Sequence, residues 1–62
     1  MPILQSELDL QAVSWAPSAA NRIAVINGNI IREGGSIEGY SIIRIDEDEV
    51  VVRKGLSEWR LV

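Results

Sequence analysis

The pair Asn27-Gly28 stands between two aliphatic runs, Ile23-Ala24-Val25-Ile26 and Asn29-Ile30-Ile31. A two-residue link between two apolar arms calls for a type I′ turn, with positive φ at both central positions. Asn and Gly tolerate that conformation, and its twist matches that of paired strands. The reading is a β-hairpin whose arms run over residues 22–26 and 29–33 and meet through Val25, Ile26, Ile30 and Ile31. Short connections of this kind leave no room for the helical crossover that parallel strands need.

The rest of the chain reads as more of the same. Gly34-Gly35-Ser36 stops the second arm, because paired glycines carry too much unfolded-state entropy to sit comfortably inside a strand, and Ile37 then folds back onto the core. After Gly39, the alternation in Tyr40–Ile45 puts Ile43 and Ile45 on one face and Tyr40, Ile42 and Arg44 on the other. The acids Asp46–Glu49 make a turn, and Val50–Arg53 and Glu58–Leu61 form two short strands around a four-residue connection, Lys54-Gly55-Leu56-Ser57. Upstream, Leu8, Leu10 and Ala12 alternate before Val13 and Trp15 take the other parity, which implies a bulge or a strand covered on both faces. Pro17 ends that strand near Ala16, and Ser18 with the alanines after it could start one helical turn that no apolar face continues. Residues 1–7 read as a flexible lead-in, or as a remnant of excision from a longer protein whose anchor lies outside, and residues 8–62 as a single small β domain.

A chain of 62 residues buries only about 60% of its unfolded surface, so its core must be thin. Aromatic residues number three, Trp15, Tyr40 and Trp59, leaving Ile, Val and Leu to build an interior of pleated strands. The expected core is Leu10, Ile23, Val25, Ile31, Ile43, Ile45, Val50, Val52, Trp59 and Leu61, with Trp15 also mostly buried. The fold class is all-β: a small antiparallel sheet of about six short strands, curled into a partly open barrel or a two-layer sandwich.

Several functions are excluded. With no histidine, no cysteine and one lysine, the chain holds no nucleophile-base pair of the Ser-His-Asp or Cys-His kind and no Schiff-base machinery. Asp46–Glu49 is the densest charge cluster, yet adjacent residues of an extended turn diverge and no second acidic loop answers them, so it reads as a solvated turn that keeps a sheet edge from mispairing. The glycines lack a phosphate-loop pattern and a following helix. A net charge of −3 with basic residues interleaved among acids argues against nucleic acid. No apolar run approaches the roughly 20 residues that span a bilayer. No catalytic, cofactor-binding or metal residue is expected.

The ordered set Pro17, Asn21-Arg22, Ile26-Asn27-Gly28, Arg32-Glu33-Gly34, Gly39, Val50-Val51-Val52 and Trp59-Arg60-Leu61 resembles the C-terminal periplasmic domain of the type II secretion system B proteins (general secretion pathway protein B). The resemblance runs from near Leu8 to the end. It departs at Gly35, where the family more often has Asp, and at Asp46–Glu49, which replace a Pro-Asp-Gly turn. It implies a non-enzymatic periplasmic adaptor, the folded end of a protein anchored in the inner membrane, that works with an A-type ATPase partner and helps the outer-membrane secretin assemble or stay in place. The alternatives are the similar homology region of the secretion C proteins, the type IV pilus P lipoproteins, and a generic self-associating β module. Edge pairing suits such an adaptor, because main-chain hydrogen bonds give affinity without any catalytic residue. The expected contact residues are Asn29, Ile30, Arg32 and Glu33 on the hairpin arm and Tyr40, Ile42 and Arg44 on the following strand, with a homodimer also expected.

Overall fold

A computed structural model of the chain describes residues 2–4 and 7–62. They form seven strands, β1 (Leu10–Ser14), β2 (Ile23–Ile26), β3 (Asn29–Arg32), β4 (Ser36–Ile37), β5 (Tyr40–Ile45), β6 (Val50–Lys54) and β7 (Ser57–Leu61), with one short 3-10 turn at Ala19–Asn21. The strands divide into two antiparallel sheets, ordered β1-β2-β3 and β4-β5-β6-β7. The fold is all-β, and the sheets do not close into a barrel. They share one apolar core, to which β2 contributes Ala24 and Ile26 and the four-stranded sheet contributes Ile37, Tyr40, Ile42, Ile45, Val50, Val52 and Leu61.

The Asn27-Gly28 hairpin forms as expected, with φ of 52° and 80° at its two turn residues. A second turn of the same hand links β4 to β5, at Glu38 (φ 53°) and Gly39 (φ 82°). It creates β4, a strand absent from the six expected. The last connection is shorter than expected: Lys54 pairs with Ser57, so only Gly55 and Leu56 lie in the turn, and positive φ at Gly55 alone makes it type II′.

Four residues expected in the core, Ile23, Val25, Ile43 and Trp15, lie outside it. Ala24 and Ile26, not Ile23 and Val25, face the interior from β2. Directly opposed residues of an antiparallel pair share a face. Ala24 opposes Ile31, which packs on the core as expected, and Val25 opposes Ile30, which is 68% exposed, so the two faces are set. Ile43 is 46% exposed because the register slips between Ile42 and Arg44: a bulge places one extra residue there and turns the strand over, so Ile42 and Ile45 are both buried. Trp15 is 41% exposed, whereas Trp59 packs against the core and meets Tyr40 edge to face at 5.6 Å between centroids. The parity change in the first strand proves to be a bulge between Leu10 and Ala12.

Of the expected lead-in, residues 1, 5 and 6 lie outside the described residues, and residues 2–4 lie beside the four-stranded sheet. Ile3 bridges Arg60 in parallel, Arg60 N–H donates to Pro2 C=O at 2.9 Å, and Leu4 N–H donates to Arg60 C=O at 2.9 Å. Pro2–Leu4 therefore pair with the outer edge of β7 at Arg60.

Candidate partner-binding edges

Two polar hubs hold the three-stranded sheet against the rest of the chain. At the hairpin tip, the Asn27 side-chain oxygen accepts from Asp9 N–H (2.8 Å), its amide donates to Glu7 C=O (3.2 Å), and its backbone N–H donates to Asp9 C=O (3.0 Å). Asparagine here thus satisfies the approach to β1 as well as the turn. The Gln11 side-chain oxygen, on the β1 bulge, accepts from Gly28 N–H.

At the other end lies Arg22. Its guanidinium donates to Ala16 C=O (2.6 Å), Pro17 C=O (3.1 Å) and Glu33 Oε2 (3.3 Å), and it stacks on Trp15 at 4.7 Å from the ring centroid. Glu33 Oε2 also accepts from Ile45 N–H at 2.9 Å, so one half-buried carboxylate ties β2, the end of β3 and the end of β5 together. Beyond it Gly34 N–H donates to Ile42 C=O, and Ile42 N–H donates to Gly35 C=O, carrying the chain from one sheet into the other. A Cβ on Gly35 would lie 2.9 Å from Ile31 Cγ2 and 3.0 Å from Arg32 C=O, so this corner is built on a bare backbone.

The edges of the two sheets differ. In the four-stranded sheet Pro2–Leu4 pair with β7 at Arg60, and β4 is two residues long. In the three-stranded sheet both outer strands, β1 and β3, lack a strand neighbour among the described residues. In a two-residue hairpin the pair flanking the turn exchanges both hydrogen bonds and the pattern then alternates. Asn29 and Ile31 therefore bond to β2, while the main chain of Ile30 faces the open side. By the same alternation Ala12 and Ser14 bond to β2, and Val13 turns its N–H and C=O outward.

The seven expected contact residues do not form one surface. Asn29, Ile30 and Arg32 lie exposed on the open edge strand β3. Glu33 is committed to Arg22 and to Ile45 N–H, and Arg44 is exposed but paired with Asp46 at 2.9 Å. Tyr40 and Ile42 are 2% and 1% exposed on an inner strand, so their side chains belong to the core. Tyr40 instead donates its hydroxyl to Glu7 Oε2 at 2.7 Å under the Lys54 ammonium, 4.9 Å from the ring centroid. Its pKa is raised above 10.0, first by that hydrogen bond, then by burial and by the nearby Glu7 charge.

A feature that residue patterns alone do not reveal lies along β1. The acidic turn comes up beside that strand, leaving an open groove in two lobes: about 240 Å³ lined by Leu10, Gln11, Ala12, Val13, Glu47 and Asp48, and about 450 Å³ lined by Trp15 and the four acids of residues 46–49. Asp46 is paired with Arg44 and Glu49 with Arg60 (3.6 Å), whereas Glu47 and Asp48 make no ion pair among the described residues.

The family model for type II secretion system protein B matches residues 7–61. The chain belongs to that family. No curated protein and no solved structure matches it. The residues that suggested a type II secretion B protein now have physical roles. Arg22 and Glu33 latch the sheets, Asn27 and Gly39 make turns, Val50–Val52 are buried in the central strand β6, and Trp59 packs on Tyr40. Membership makes the chain a component of a protein-secretion system. The cross-strand partner that a strand arginine calls for is Glu33 in the case of Arg22, one step beyond the opposed pair Ile23 and Arg32.

Proposed function

We propose that this chain is a non-enzymatic periplasmic adaptor of the type II secretion system, which helps assemble or anchor the outer-membrane secretin together with an A-type ATPase partner, as the folded part of a protein held in the inner membrane. The observation that carries this reading is a three-stranded sheet whose outer strands have no further strand neighbour among the described residues, in a member of a secretion-system family. Unpaired strands bind extended segments through main-chain hydrogen bonds, so affinity needs no catalytic group. Asn29, Ile30 and Arg32 on β3 and the outward main chain of β1 are the surfaces offered.

The test is an NMR titration of the isotope-labelled domain with the periplasmic N-terminal domains of the cognate secretin. Shifts confined to one edge of the three-stranded sheet are expected. No shift at high micromolar concentration would remove the secretin from the proposal.

Self-association is the second reading, favoured by Ile30, which is 68% exposed on the open strand β3. Sedimentation velocity that shows only monomer at high concentration would exclude it.

A further inference from the structure

We infer that the groove between β1 and the acidic turn is a docking site for a basic, extended segment of a partner protein, which adds as a strand beside β1 with its Lys or Arg side chains toward Glu47 and Asp48. This rests on the adaptor reading above and names the edge and the chemistry of the partner.

Three features converge on this groove. First, β1 is an outer strand, and the main chain of Val13 points outward into it. An added strand would meet donors and acceptors already aligned. Second, the strand wall is uncharged from Leu10 to Trp15, while the facing wall is the acidic turn, whose Glu47 and Asp48 are exposed and make no ion pair among the described residues. Charges left unmatched on one wall of a groove select a segment of opposite sign and suppress acidic ones. Third, Trp15 closes one end, 41% exposed, with the Arg22 guanidinium over its ring. It offers apolar area to the stem of a long basic side chain.

The geometry also limits the occupant. Residues 10–15 span roughly 20 Å at strand rise, enough for about six residues of partner. Successive side chains alternate between faces, so basic residues at every second position would meet the turn. On the β3 arm the charged residues are Arg32 and Glu33, and Glu33 is engaged with Arg22 and Ile45 N–H.

The probe is a seven-residue peptide alternating valine and lysine, titrated into the labelled domain. A valine-glutamate peptide of the same length is the control. The lysine peptide is expected to shift the amides of residues 10–15, 47 and 48, to slow hydrogen exchange at the Val13 N–H, and to weaken as salt rises. The double variant Glu47→Gln/Asp48→Asn should lose about tenfold in affinity while its unbound spectrum keeps the wild-type pattern elsewhere. Equal binding of the glutamate peptide, an unchanged affinity in the double variant, shifts located on β3, or no shift at millimolar peptide would each overturn the proposal. Shifts at β1 that grow with protein concentration alone would assign the groove to a second copy and overturn it too. The secretin titration separates the two readings. Secretin binding that the double variant leaves intact would keep the adaptor and remove this groove, whereas lysine-peptide binding at β1 without any secretin response would do the reverse.

Discussion

The two sheets are built from the same residue types and put them to different uses. In the four-stranded sheet the central strand β6 buries Val50, Val51 and Val52 in succession, on both of its faces. The outward one, Val51, stands between its register partners Arg44 and Arg60, whose stems can shield it while their guanidiniums reach Asp46 and Glu49. The edges of this sheet are a two-residue strand and a strand paired with Pro2–Leu4 at Arg60. The three-stranded sheet commits only Ala24 and Ile26 fully to the core and leaves β1 and β3 open. One sheet supplies stability. The other leaves the outer sides of β1 and β3 without a strand neighbour among the described residues.

This contrast can be broken most directly by cavity formation. Ile45→Ala in the four-stranded sheet should cost about 2–5 kcal/mol, enough to unfold much of so small a domain, as read by chemical denaturation. If Ile45→Ala proved as mild as a surface change, the division between the sheets would fall.

The joints between the sheets come next. Asn27→Ala removes two side-chain hydrogen bonds at the hairpin tip and places alanine at φ 52°, and should cost about 2 kcal/mol by the same measurement. Asn27→Gly keeps the backbone freedom and should recover about half of that loss, isolating the hydrogen bonds to Glu7 and Asp9. Gly35→Asp must push Ile31 or the Arg32 carbonyl aside and should cost about 1–3 kcal/mol. No loss in melting temperature would show that the corner can re-form around a side chain.

The Tyr40–Glu7 bond joins the four-stranded sheet to the segment before β1 and has a pH signature. Because the folded pKa of Tyr40 lies above its ordinary value of 10.0, proton loss is harder in the folded state. The bond's contribution is therefore intact below the ordinary value and is lost as the pH rises through the folded pKa. Thermal melts of the wild type should fall more steeply above pH 10 than those of Tyr40→Phe, and parallel curves would contradict the bond. The smallest effect belongs to the open edge: Ile30→Ser should change stability by no more than about 0.5 kcal/mol in a denaturation experiment. A larger loss would mean that β3 is already covered, as in a self-associated protein.

Much of the architecture was legible. Asn27-Gly28 announced its hairpin because few residues tolerate positive φ at both central positions. Glu38-Gly39 makes the same turn and went unread, since glutamate rarely adopts φ near 53° and Ile37 looked like a lone returning residue. In Tyr40–Arg44 the side chains of Tyr40 and Ile42 are buried, because alternation identifies two faces without saying which is inside and the bulge beyond Ile42 breaks it. The hairpin register brings Glu33 to Arg22, but the Ala16 and Pro17 carbonyls and the Trp15 ring that also meet its guanidinium belong to a segment outside that register.

From the sequence alone follow the all-β class, the Asn27-Gly28 hairpin set by its turn chemistry, the absence of histidine and cysteine, and the family. These depend on local backbone preference and on residue order, both of which are written along the chain. Only the tertiary structure decided which face of each aliphatic run is buried, through the bulge at Ile43 and the pairing of Ala24 with Ile31. It also decided which strands remain edges and that the acidic turn comes to lie beside β1. A run such as Ile23–Ile26 is apolar on both sides, so its inward face is chosen by contacts with distant residues, and the groove between β1 and residues 46–49 exists only because the packed sheets bring them together.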